Sequence, residues 1–91
     1  MKNPMTLEGH NIIVTGAGQG IGEAVSRLVV ELGGKAIMVD VQAEKVNALA
    51  DELGSGNAET HVGSVAEPGF VQEMVGNAIA ANGAIHGLVN N

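Results

Sequence analysis

Short apolar runs alternate along this chain with longer stretches in which apolar residues recur every three or four positions. Ile12-Ile13-Val14 is continuous and β-branched, and it predicts a buried strand over Asn11 to Thr15. A glycine-rich turn follows, from Gly16 to Gly22. Beyond it Ile21, Ala24, Val25, Leu28, Val29 and Leu32 keep the i, i+3, i+4, i+7 spacing of a helix face, and Gly33-Gly34 ends the helix. Ala36-Ile37-Met38-Val39, closed by Asp40, predicts a second strand. Val46, Leu49, Ala50 and Leu53 mark one face of a second helix, and Gly54-Ser55-Gly56-Asn57 is turn chemistry. Ala58 to Val62 reads as a weaker third strand. Pro68 suits the first turn of a third helix, with Glu67 a poor N-cap. Val71, Met74, Val75, Ala78 and Ile79 are its expected buried face, and Asn82-Gly83 stops it. Leu88-Val89 then predicts a fourth strand over Gly87 to Asn90. Residues 1–9 read as a loose arm from which Leu7 is placed to pack.

Strands and helices alternating at this spacing imply a parallel sheet with right-handed crossovers, an α/β fold. In a doubly wound topology the four strands would lie in the order 3-2-1-4. The reversal of direction beside the first strand is where such sheets hold ligands. The whole chain, 1–91, reads as one partial domain that stops after the fourth strand.

Composition narrows the picture. A chain of 91 residues buries only about 60–65% of its unfolded surface, so stability should be marginal. Phe70 is the only aromatic residue, which leaves the core to Val, Ile, Leu, Ala and Met. A net charge of −6, with Lys2, Arg27, Lys35 and Lys45 scattered, argues against nucleic acid as a partner. There is no cysteine, hence no disulfide frame. His10, His61 and His86 lack metal-ligand spacing and read as surface or edge histidines. No apolar stretch has the length of a signal peptide or a membrane span, so a soluble cytoplasmic protein without a membrane partner is expected.

The chemistry concentrates in Thr15-Gly16-Ala17-Gly18-Gln19-Gly20-Ile21-Gly22. This segment follows a strand and opens a helix, the setting that a phosphate cradle requires. Glycine lets backbone N–H groups approach a pyrophosphate, and the helix N-terminus adds unpaired donors and partial positive charge. No Lys-Ser or Lys-Thr follows, which excludes an ATP-type P-loop. The plainer alternative is a turn that serves only close helix–strand packing. Against it, four glycines in seven residues weaken a fold unless something must come close.

The same residues carry a resemblance. Thr-Gly-x-x-x-Gly-Ile-Gly, here Thr15, Gly16, Gly20, Ile21 and Gly22, resembles the fingerprint of the short-chain dehydrogenase/reductase family. Leu88-Val89-Asn90-Asn91 is similar to the opening of that family's Asn-Asn-Ala-Gly element. Together the two motifs cover essentially the whole chain. The resemblance implies a Rossmann-type sheet and a nicotinamide dinucleotide as cofactor. It implies hydride transfer between that cofactor and an alcohol or ketone in the complete protein. The residues it assigns to the dinucleotide are Gly16, Gly18, Gln19, Gly20, Ile21, Gly22, Asp40, Val41, Ser64, Val65 and Asn90.

Asp40 closes the second strand, where a carboxylate can accept hydrogen bonds from the adenosine ribose. A phosphate on that ribose would meet the carboxylate at a cost of about 4 kcal/mol per unit charge pair, at ~4 Å and an effective dielectric of ~20. NAD is therefore expected over NADP. The family's NADP binders usually carry Arg or Lys in the glycine turn or just after the second strand. Gln19 and Val41-Gln42 stand there instead, and Lys45, a turn further on, is expected to face solvent. An N-cap for the second helix is the alternative role for Asp40. Ser64-Val65 follows the third strand, where the family usually has Asp-Val, so only a serine hydroxyl remains to contact adenine. Asn90 matches the family's first asparagine, which helps to fix the fourth strand beside the cofactor.

The family's acid/base pair is a tyrosine with a lysine four residues later, aided by a serine and an asparagine. This chain has no tyrosine, and none of its residues takes those roles. It is expected to be the front portion of a larger oxidoreductase, able to bind and inactive alone. A non-catalytic nucleotide-binding module and a self-associating structural fragment are the other readings. Self-association is expected in any case, because the fourth strand would end the sheet with an open edge.

Overall fold

A computed structural model describes residues 6–91; Lys2 and the first five residues of the expected arm lie outside the described residues. The elements run β1 Asn11–Thr15, α1 Gly20–Glu31, β2 Lys35–Asp40, α2 Ala43–Leu53, β3 Ala58–Val62, α3 Pro68–Asn82 and β4 Gly87–Val89. All pairings are parallel, and the sheet order is β3-β2-β1-β4. The four strands and three helices stand where the hydrophobic pattern puts them. β2 begins one residue earlier than expected, at Lys35, and β4 ends one residue earlier, at Val89.

Alternation along the strands divides the core in two. Val14, Ala36, Met38 and Ala58 face α1 and α2, where they meet Ala17, Val29, Val46 and Leu49. Ile13, Ile37 and Val39 face α3 and meet Met74 and Ala78. The sheet is thus a middle layer, and the central strands are buried on both faces, as a parallel sheet requires. Leu7 packs on the α1–α2 side, and its N–H donates to the Leu32 carbonyl at 2.7 Å.

The buried face of α1 departs from the expected one. Gly22, Ser26 and Val29 are buried and Val25 is half-buried, while Ile21 and Leu28 are 72% and 50% exposed. The cause is close packing at the turn. A Cβ at Gly22 would lie 1.9 Å from the Gly16 carbonyl oxygen, so this residue must face the β1–α1 turn. Ser26 stays on the same side and satisfies its hydroxyl by donating to the Gly22 carbonyl at 2.9 Å. The helix is rotated toward its small residues, and Ile21, Ala24 and Leu28 form an outer apolar stripe. Ile79 of α3, expected inside, is likewise 45% exposed.

Candidate functional site

The turn between β1 and α1 is shaped by two left-handed glycines, Gly16 at φ +62 and Gly20 at φ +60. This region penalises any residue with a Cβ. Gln19 is the N-cap of α1, and its side chain makes no capping bond. The first N–H groups of α1 therefore lack both intrahelical partners and a side-chain cap. A Cβ at Gly20 would meet nothing within 4 Å, so the space beside these donors is open.

Asp40 is 7% exposed and lies at the end of β2. Its Oδ2 accepts a 2.8 Å hydrogen bond from the Gly18 N–H, and its Oδ1 accepts another of 2.8 Å from the Gln42 N–H. The carboxylate thus joins the glycine turn to the entry of α2. Gln42, not Asp40, is the N-cap residue of α2. Each carboxylate oxygen keeps further acceptor capacity for a hydroxyl donor.

These parts surround a crevice of about 390 Å³ lined by Gly16, Gln19, Gly20, Ile21, Asp40, Gln42 and Asn91. A hollow of about 170 Å³ continues from it, sharing Gly16, Asp40 and Asn91 and adding Val41, Ser64 and Val65. The Ser64 hydroxyl accepts from the Ala66 N–H at 3.1 Å, which forms the turn after β3. Of the residues expected around a dinucleotide, Gly16, Gln19, Gly20, Ile21, Asp40, Val41, Ser64 and Val65 converge here. Gly18 and Gly22 do not line it. Gly18 is buried behind Asp40, and Gly22 supports the turn from within α1. Asn90 lies on the other side of β4, in an apolar hollow with Ile13, Val65, Met74 and Leu88.

Three participants carried no periodic signal in the sequence. The Thr15 hydroxyl meets Asn90 Oδ1 at 3.1 Å and accepts from the Asn91 N–H at 2.9 Å, which ties the end of β1 to the end of β4. Gln42 contributes both a wall of the crevice and an N–H to Asp40. Lys45, expected in solvent, is exposed but donates from Nζ to Gln19 Oε1 at 2.5 Å.

The arrangement suits a phosphate at the helix N-terminus together with hydroxyl donors at the carboxylate. It offers open backbone donors at a helix N-terminus, a buried carboxylate acceptor nearby, and half-exposed Val41 and Val65 beyond. A second polar group lies on the α3 face of the sheet. There Glu59 meets His61, Lys35 and Asn82 in a partly buried polar cluster. No group of acidic or histidine side chains among the described residues is arranged to hold a metal ion. No helix among them is long and apolar enough to cross a membrane.

Residues 10–91 match the family described as short chain dehydrogenase. Oxidoreductase UcpA of Salmonella typhimurium is 39% identical over 87 residues, covering 93% of this chain and 33% of the relative. The citronellol catabolism dehydrogenase AtuB of Pseudomonas aeruginosa superposes with a TM-score of 0.91 at 35% identity, over 98% of this chain and 38% of that one. A metagenomic short-chain oxidoreductase in complex with NADP gives a TM-score of 0.87 at 31% identity, over 93% of this chain and 39% of that one. The chain spans about a third of the length of the curated relatives it matches, 33% for UcpA.

Proposed function

The chain belongs to the short chain dehydrogenase family, and on that premise we propose that its crevice holds the adenosine diphosphate part of a nicotinamide dinucleotide, NAD before NADP. The observation that carries this reading is Gly20. It stands at φ +60 at the uncapped start of α1, with open space where a side chain would be. Gly16, Gln19, Gly20 and Ile21 would line the pyrophosphate, and Asp40 would accept from the ribose hydroxyls. Val41, Ser64 and Val65 would flank the adenine. Asn90, bound to Thr15, would hold β4 in place beside them.

The preference for NAD rests on charge. Asp40 is buried, and a ribose phosphate beside it would bring like charges together in a poorly solvated place. The bound dinucleotide supplies the hydride acceptor or donor of an oxidoreductase acting on an alcohol or ketone in the complete protein. This chain has no tyrosine, and the proposal assigns it binding rather than catalysis. A soluble, cytoplasmic setting and self-association through the β4 edge belong to the same proposal.

Calorimetry with NAD and NADP tests it. Removing a charged acceptor costs about 1.5–3 kcal/mol per hydrogen bond. Asp40→Ala should weaken NAD by about ten- to a hundredfold and narrow the gap to NADP. Tighter binding of NADP than NAD by the unmodified chain would overturn the preference. Absence of binding by both would overturn the site.

A further inference from the structure

We propose that Asn82-Gly83 is a modification site, a deamidation point at the end of α3 that the fold holds back and that, once converted, loosens α3 from the sheet.

The sequence supplies the reacting pair. Asn82 is the only asparagine in the chain followed by glycine. Glycine has no side chain to hinder attack by its own backbone nitrogen, and its backbone turns most freely into the geometry of attack. The Gly83 nitrogen gives up its proton and bonds to Asn82 Cγ. The Cγ–Nδ2 bond breaks, and the Nδ2 group takes up a proton and leaves as ammonia. Water then opens the five-membered imide. Cleavage at one carbonyl gives aspartate, and at the other isoaspartate, whose main chain runs through the former side chain. Nothing is oxidised or reduced, and water is the sole co-reactant.

The structure shows which half of the pair is ready. Asn82 Oδ1 accepts from Lys35 Nζ at 2.7 Å. An ammonium on this oxygen draws electron density from Cγ and makes it a better target. The nucleophile is held instead. The Gly83 N–H donates to the Ile79 carbonyl at 2.7 Å as the C-cap bond of α3. Asn82 Nδ2 donates to the Ala78 carbonyl at 2.9 Å, which pins the amide to the preceding turn. Reaction therefore requires the last turn of α3 to open. Gly83 is exposed, stands at φ +86, and has open space where a Cβ would be.

Asn82 also ties α3 to three strands. It meets Lys35 of β2, its Nδ2 donates to Glu59 Oε1 of β3 at 3.0 Å, and its carbonyl accepts from Asn11 Nδ2 of β1 at 3.4 Å. A carboxylate in place of the amide has no N–H for Glu59 or for the Ala78 carbonyl, and it faces Glu59 with a like charge. Lys35, 3.4 Å from Glu59, would then serve two carboxylates. It offsets part of the repulsion and restores neither donor. Isoaspartate adds a methylene to the main chain and breaks the register of the last turn as well.

Peptide mapping by mass spectrometry tests the site, with the folded chain and the same chain in urea incubated at one pH. In urea Asn82 should convert before any other asparagine, to both aspartate and isoaspartate. Gly83→Ala should suppress that conversion. The folded chain should convert at the same place about tenfold or more slowly, because only the opened turn reacts. Asn82→Asp, which reproduces one product, should speed amide exchange along α3 and leave β2 as it was. Chain converted in place and separated from the parent gives the same readout if that variant fails to fold. Earlier conversion of another asparagine in urea would overturn the site. Equal rates with and without urea would overturn the restraint by the fold. Unchanged exchange of α3 in the converted chain would overturn its release.

Discussion

Gly18 and Asp40, separated by 22 positions, are joined by a 2.8 Å hydrogen bond from the Gly18 N–H to Asp40 Oδ2. The bond explains why position 18 has no side chain. A Cβ there would lie 2.9 Å from that oxygen. Gly18→Ala should force the carboxylate aside, at about 1–3 kcal/mol of stability. It should also weaken nucleotide binding, since Asp40 would no longer sit at the end of β2 as placed. Denaturant unfolding and calorimetry on the same variant check both. An alanine variant as stable as the parent would contradict the clasp.

Gly20 should behave differently. Nothing lies within 4 Å of a Cβ there, but φ is +60. Gly20→Ala should cost about 1–2 kcal/mol through the left-handed backbone alone. Its methyl group would enter the open space of the crevice, where the proposed nucleotide would lie. Nucleotide affinity should therefore fall further than the stability change explains, which parallel melting and binding measurements would reveal.

Two helical glycines give opposite expectations. Gly22 cannot carry a Cβ, because the Gly16 carbonyl oxygen is 1.9 Å away and is backbone. Gly22→Ala should prevent folding or cost upward of about 3 kcal/mol. Gly76 lies inside α3 with nothing within 4 Å of its virtual Cβ. Gly76→Ala should stabilise by about 0.5–1 kcal/mol, since alanine favours the helix. Urea midpoints of the two variants should move in opposite directions.

The acid limb of stability should depend on Glu59. Burial alone would raise its pKa, but bonds from His61, Asn82 and Lys35 outweigh burial and hold it below the ordinary 4.5. A carboxylate depressed on folding stabilises fully above its unfolded value. That contribution is lost as pH falls through the folded value. Glu59→Gln should therefore lower stability at neutral pH and flatten the decline below about pH 4.5. Thermal melts from pH 3 to pH 7, about the range in which carboxylates titrate, would show an unchanged slope if the cluster contributed nothing.

Leu88 sits on the edge strand β4 and is 63% exposed beside Val71, Met74 and Val75. An open edge with an apolar side chain favours pairing with another chain. The chain should self-associate at micromolar concentration, and Leu88→Lys should reduce it. Sedimentation equilibrium is the check; a monomeric parent would refute the expectation.

The strands are legible because continuous apolar runs such as Ile12-Ile13-Val14 and Ala36 to Val39 have no amphipathic reading. The rotation of α1 was not. Its apolar residues fill an arc wider than the buried face, and the choice within that arc falls to Gly22 and Ser26, which hydrophobicity does not mark. Asp40 stood out by its place after β2, yet its bonds to Gly18 and Gln42 need the folded turn. The Lys45–Gln19 contact spans 26 positions between two helices, so no local pattern announces it.

The 390 Å³ crevice takes no residue from α3. That helix carries Gly69 and Gly76 and buries only Met74 and Ala78 along its 15 residues. Such a segment lies at the low end of local unfolding free energies, and its amides should exchange with solvent well before those of β1 and β2. When α3 lifts, β1, β2, α1 and α2 still hold Gly20 and Asp40 where they are. Breathing of that kind would be confined to one side of the sheet, and the crevice on the other side would keep its shape through it.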